Sequence, residues 1–254
     1  MIAHPSPAVR TDRERTLRTE LRSLGELIEN RVTLPISGVT VEIVRPVDTD
    51  LLLDRVADDP EQNLPYWAEV WPSGIALADA IASAPDIVRG QRILELGAGL
   101  GVTAIAALTA GAKLTITDYS LDALRLCRLN AIRQTGREPH AIQINWRQPG
   151  VELLDQVGTG YPIVLAADAL YEQRDVEPLL TLIERLIASG GMLWLAEPGR
   201  AVARAFRALL DRAGWSSQSN HYRGPWPDPK DAEVVVGVHR IVRDPRLTAL
   251  MTTG

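Results

Sequence analysis

The chain has 254 residues, 46% hydrophobic and 23% charged, which are ordinary globular values. A net charge of −5 leaves no basic footprint for nucleic acid, and a single cysteine, Cys127, excludes an internal disulfide framework. Residues 1–10 lack the apolar stretch of a signal peptide and no apolar run reaches membrane-spanning length, so the expectation is a soluble cytoplasmic protein with no membrane partner.

In chain order, residues 11–30 predict a helix. Thr11 and Glu14 form a T-x-x-E capping pattern, and Leu17, Leu21, Leu24 and Ile28 recur at helical spacing opposite a charged face. Residues 32–34 and 39–44 read as two strands joined by a turn at Ser37-Gly38. Residues 46–60 are a polar connection. This divides the chain into an N-terminal helix-and-hairpin extension (1–63), a main domain (64–243) and a C-terminal tail (244–254).

Residues 65–82 bring Tyr66, Trp67 and Trp71 together around Glu69. Pro72 can begin a helix, and Ser73 can cap it. Aromatic rings beside a carboxylate can cover a sulfonium through cation–π attraction; they can equally serve as core packing.

Residues 92–101, RILELGAGLG, run from an apolar strand into a glycine loop, followed by an apolar helix over 102–110. Gly97, Gly99 and Gly101 carry no Cβ, so the backbone can turn sharply and approach a ligand. The helix start aims unpaired N–H groups at the same place. A dinucleotide site usually reads G-x-G-x-x-G; here the spacing is G-x-G-x-G, with Glu95 two residues before the first glycine. A carboxylate there is poorly placed for a pyrophosphate and suits a ligand carrying an ammonium and a sulfonium.

Residues 113–117 predict the next strand, ending at Asp118, where an acid can accept both ribose hydroxyls of a nucleoside. A helix over 121–133 turns Cys127 inward. A strand over 141–144 leads to Asn145 and Trp146, where an adenine edge can be met. Residues 162–167 form a continuous apolar run, as a strand buried on both faces should, and end in Asp168-Ala169-Leu170-Tyr171. A helix over 179–189 is expected to stop at Gly190-Gly191, before a strand over 192–196 ending at Glu197. A helix over 202–213 and strands over 215–221 and 233–242 complete the series. The β–α alternation predicts a mostly parallel sheet covered on both faces, with ligands at the carboxyl ends of its strands. Glu95, Asp118, Asn145, Asp168 and Glu197 all fall at such ends. The four histidines and Cys127 show no ligand spacing, so no metal is expected.

Taken together, ELGAGLG and the acid at Asp118 resemble the seven-stranded class I methyltransferases that use S-adenosylmethionine (SAM). PYWAEVWPSGIAL and the D-x-x-Y of Asp168 to Tyr171 narrow the resemblance to the protein-lysine methyltransferase group that includes the electron-transfer-flavoprotein β-subunit enzyme, over residues 64–242. That resemblance implies a Rossmann-like α/β sheet of order 3-2-1-4-5-7-6 with the last strand antiparallel. It implies SAM as cofactor, leaving as S-adenosylhomocysteine (SAH). It also implies that Trp71 and Glu95 line the cofactor pocket, that Gly97, Ala98 and Gly99 run along the methionine moiety, and that Asp118, followed by Tyr119 and Ser120, holds the ribose. Asn145 and Trp146 would flank the adenine, Ala167 and Asp168 would face the cofactor near the acceptor, and Tyr171 would lie on the acceptor side. Asp168 and Tyr171 are the expected catalytic pair. The function expected is N-methylation of a lysine side chain in a protein substrate. The alternatives are a small-molecule N- or O-methyltransferase acting on a nicotinamide-like or other metabolite, an NAD(P)-binding oxidoreductase, and a non-catalytic SAM-binding module.

Overall fold

The computed structural model describes residues 7–55, 61 and 63–243. The chain begins with α1 (Pro7–Glu20), a hairpin of β1 (Leu27–Thr33) and β2 (Thr40–Pro46), and a short α2 (Asp50–Arg55). The main series follows: α3 (Pro72–Ser83), β3 (Arg92–Leu96), α4 (Val102–Thr109), β4 (Lys113–Asp118), α5 (Leu121–Thr135), β5 (His140–Gln143), α6 (Gly150–Val157) and β6 (Tyr161–Ala167). It closes with α7 (Val176–Leu186), β7 (Ile187–Glu197), α8 (Ala201–Arg212), β8 (Trp215–Arg223) and β9 (Val235–Arg243). None of the described helices is long and apolar enough to cross a membrane.

Seven strands form one sheet in the order β5-β4-β3-β6-β7-β9-β8. With the two hairpin strands left out of the count, that order is 3-2-1-4-5-7-6. Pairing is parallel from β5 through β7, and β9 runs antiparallel to both its neighbours. Alternation along the central strands assigns side chains to two cores. Ile93, Ile163 and Leu165 pack with α3, α4 and α5, whereas Leu94, Leu96, Val164 and Ala166 pack with α6, α7 and α8. The sheet is therefore covered on both faces, as its apolar runs require.

The N-terminal residues join the first of these cores. Leu17, Leu21, Leu24, Val32, Leu34, Val41 and Ile43 are buried in the same cluster as α3, α4 and α5. Around them, Arg13–Glu138 (3.0 Å), Arg133–Glu29 (2.7 Å) and Arg125–Glu20 (3.3 Å) tie α1 and the hairpin to α5 and the residues just after it. Asp79 of α3 accepts the N–H groups of Ile36 and Ser37 at 2.7 and 2.8 Å, which closes the hairpin turn on the domain.

Several boundaries differ from the sequence expectation. The first helix starts at Pro7 and stops at Glu20. Thr11 therefore lies inside it, bonding back to the Pro7 carbonyl, and caps nothing. Ile28 belongs to β1, because Gly25 at φ +77° breaks the helical stripe before reaching it. The helix expected at 179–189 ends at Leu186, and Gly190-Gly191 lie within β7. A Cβ on Gly191 would stand 2.9 Å from the Tyr161 carbonyl, so this glycine permits close strand approach where the β6–β7 register shifts. Trp71, and not Ser73, takes the cap position at the start of α3, with Pro72 as the first helical residue; the serine is buried. Helices α2 and α6 were not anticipated, and Glu233 lies before β9. The expected C-terminal tail lies outside the described residues.

Candidate active site

The turn from β3 into α4 shapes the site. Gly97, Gly99 and Gly101 adopt φ of +72°, +50° and +86°, a region that side-chain-bearing residues rarely enter. The N–H groups of Gly97 and Ala98 both donate to the Thr117 carbonyl, at 2.9 and 3.0 Å, so the loop hangs from the end of β4. Behind it, a Cβ on Gly101 would lie 2.7 Å from Cys127 Sγ, so a glycine lets the loop pack closely on α5. In front, the Trp146 ring lies 3.4 Å from where a Gly97 Cβ would be.

A cleft of about 790 Å3 opens over this loop at the carboxyl ends of β3, β4 and β6, within the usual size of ligand sites. It brings together the thirteen residues expected to bind the cofactor or act in catalysis: Trp71, Glu95, Gly97, Ala98, Gly99, Asp118, Tyr119, Ser120, Asn145, Trp146, Ala167, Asp168 and Tyr171. Glu197 is the strand-end acid that does not join them. Its carboxylate accepts from the Gly199 N–H and faces His239 Nε2 at 3.1 Å, shaping the turn into α8.

Two buried acids dominate the floor. Glu95 is 2% exposed, and its Oε2 has no hydrogen-bond partner among the described residues. Burial, reinforced by the neighbouring Asp118, pushes its pKa well above the usual carboxylate range. Asp118 Oδ2 accepts from the Gly99 N–H at 3.0 Å and Oδ1 from the Ser120 N–H at 2.9 Å. Burial raises its pKa to about 6 even against those N–H groups. Ser120 also caps α5 by accepting from the Ala123 N–H, which fixes the turn after the acid.

The remaining walls divide into an aromatic side and a polar side. Trp71 Nε1 donates to the Tyr66 carbonyl at 2.8 Å. Tyr66 meets Trp71 and Tyr171 edge-on, with centroids 6.1 and 5.6 Å apart. Burial first, then Asp175 and Glu172, raise the Tyr171 pKa, so this phenol stays protonated at neutral pH. On the polar side, the Asn145 amide donates to Glu61 at 3.2 Å and its carbonyl accepts from the Arg147 N–H at 2.9 Å, so part of its capacity is already used. Trp146 Nε1 is buried without a partner among the described residues.

Asp168 stands at φ +52°, the one non-glycine residue with positive φ among those described. Such a backbone is costly unless its surroundings hold it. Here the Asp168 N–H donates to the Ala196 carbonyl at 3.0 Å, and Arg200 lies on Oδ1 through Nε at 3.1 Å and a terminal nitrogen at 3.0 Å. Sequence reasoning missed Arg200, Arg147, Glu172 and Asp175, which also line the cleft. No motif announces them; only the fold brings them to the rim.

The sheet order, the glycine loop and the acid after the second sheet strand define the architecture of the SAM-dependent methyltransferases. Magnesium protoporphyrin IX methyltransferase from Synechocystis, solved with bound SAM, superposes with a TM-score of 0.54 at 14% identity, covering 77% of this chain and 97% of that one. Within that class, residues 60–206 match the family model described as lysine methyltransferase, and the chain belongs to that family. It is 32% identical to the electron transfer flavoprotein beta subunit lysine methyltransferase of Xenopus laevis over 143 residues, 54% of either chain. It is 30% identical to the protein N-lysine methyltransferase METTL21A of Danio rerio over 186 residues, 72% of this chain and 80% of that one. The chain thus spans about half the length of the flavoprotein-directed relative.

Proposed function

We propose that this protein is a cytoplasmic, SAM-dependent N-methyltransferase whose acceptor is a lysine side chain of a protein. The observation that carries this reading is the charge of the cleft. Seven acids line it (Glu69, Glu95, Asp118, Asp122, Asp168, Glu172 and Asp175) against two arginines, Arg147 and Arg200. Arg45, Arg125 and Arg174 pair with Glu69, Asp122 and Glu172 from outside the lining, so the excess is smaller than that count, but its sign suits a cationic donor and a lysine acceptor and opposes a pyrophosphate-bearing dinucleotide.

The residues present fit the donor. The unpartnered Glu95 oxygen awaits a hydrogen-bond donor or a cation, and the methionine ammonium is both. Gly97, Ala98 and Gly99 allow close backbone approach. Asp118 has lone pairs left for ribose hydroxyls after its N–H bonds. Trp146 offers a ring and Asn145 an amide to the adenine. When bound, SAM supplies a methyl group already activated on a sulfonium, so the protein mainly positions the partners.

On the acceptor side, a lysine with a reference pKa of about 10.4 must shed a proton before it can attack. Tyr66, Trp71 and Tyr171 surround its path with rings and disfavour the charged form by desolvation. Asp168 and the phenol oxygen of Tyr171 can each accept an amine N–H, which leaves the lone pair free and orients it towards the methyl group.

Tritiated SAM incubated with the protein and a cell extract tests the reading. Label should appear in protein and be recovered as methyl-lysine after hydrolysis. Label confined to small metabolites would move the assignment to a small-molecule methyltransferase.

A further inference from the structure

We propose that Arg200 is a positioning residue that holds Asp168 ionised and fixes its orientation towards the acceptor amine. The inference rests on the methyltransferase reading above. Its ground is a chain of contacts that starts outside the cleft. His239 is buried between β7 and β8, with Nδ1 2.6 Å from the Ser219 hydroxyl and Nε2 3.1 Å from Glu197 Oε1. Glu197, held in this way, accepts the Gly199 N–H with its second oxygen. Gly199 takes φ +80°, and its carbonyl accepts from the Arg204 guanidinium. This locked turn presents Arg200, the residue at the start of α8, to the cleft wall, where two of its nitrogens converge on Asp168 Oδ1.

The pairing has a chemical consequence. Asp168 has its pKa raised by desolvation, with a smaller push from Glu197, while Arg200 pulls it back down. The groups that face Asp168 are Arg200 from the start of α8, Glu197 from the end of β7, and Ser73 from α3. Arg200 is the one cation among them. Without it, only the Ser73 hydroxyl opposes desolvation and the Glu197 charge, the carboxyl takes up its proton at a higher pH, and it becomes a weaker acceptor for an amine. Arg200 touches Asp168 and acts through it.

Sinefungin tests this without turnover, because an amine-bearing carbon replaces the methylsulfonium in that SAM analogue. Its affinity relative to SAH, read by calorimetry from about pH 5 to about pH 8.5, reports whether the acceptor site still holds an ionised carboxylate. The ratio in R200Q should begin to fall at a higher pH than in the wild type, so that it lies below the wild-type ratio through the acidic part of the range. R200K, which keeps the charge, should stay near the wild-type profile. SAH affinity itself should be the same in all three proteins. A wild-type profile in R200Q overturns the inference, and so does an SAH affinity that falls in step with the ratio, which would make Arg200 a cofactor ligand. If the wild-type protein binds no SAH, it is the methyltransferase reading itself that fails.

Discussion

At the scale of single residues, the floor of the cleft trades stability for binding. Glu95 is a buried carboxyl with an unpartnered oxygen, a state that costs free energy in the empty protein and gains a partner when a cation arrives. Glu95→Gln should therefore leave Tm unchanged or raise it, yet weaken SAM binding by about tenfold, or ~1.4 kcal/mol. Calorimetry beside thermal melts reads both, and an unchanged affinity would remove Glu95 from the binding account. Asp118 gives the pH dependence. Its folded pKa of about 6 lies above its ordinary value, so the ionised acceptor exists above that pH and disappears below it. SAH affinity should fall as pH drops through about 6, and Asp118→Asn should bind more weakly with a flatter profile. The same raised pKa means that the empty protein loses stability progressively as the pH rises from the ordinary carboxylate value through about 6, and carries the full cost of burying this carboxylate above that, a penalty a ligand can offset. The acids at residues 95, 118 and 168 could be found from sequence because strand ends and glycine spacing mark their positions. Arg200 could not, because its place depends on a turn shaped by Glu197 and His239, and His239 is 42 residues beyond that acid.

Among the elements, the hairpin and α5 act on the site through one side chain. Asn130 is fully buried on α5. Its Oδ1 accepts the Val44 N–H at 2.8 Å, and its amide donates to the carbonyls of Val44 (3.0 Å) and Leu100 (2.9 Å). One residue thus joins the edge of β2, the middle of α5 and the glycine loop. Asn130→Ala would strand those backbone groups away from water, at a cost of about 3 kcal/mol or roughly 10 °C in Tm. SAH affinity should fall with it, because Leu100 belongs to the loop; a wild-type melting curve and affinity would contradict this coupling. The glycine loop and its flanking strand were legible because an apolar run followed by three spaced glycines has few other uses. The hairpin boundaries were less so. Ile28 continues the helical spacing of Leu17, Leu21 and Leu24, but the helix stops at Glu20, a 3-10 turn follows, and Gly25 at positive φ turns the chain into β1. Gly190-Gly191 misled in the opposite direction, since a glycine pair ends helices and also lets strands approach closely.

Across the whole molecule, the doubly covered sheet places acids from β3, β4 and β6 at one rim, and the N-terminal residues brace that rim from behind while sharing its core. The fold class was readable because alternating apolar strands and helices leave few architectures open. The rim's net sign was not, since Glu172, Asp175 and Arg147 reach it from loops that carry no pattern of their own. The account stands on that rim gripping a cationic methyl donor. Calorimetric titration of the wild-type protein with SAM at about pH 7.5, above the Asp118 pKa, tests it most directly. The account predicts one-to-one binding, inhibited by SAH and indifferent to NADH; no heat with SAM, or displacement by NADH, would contradict it.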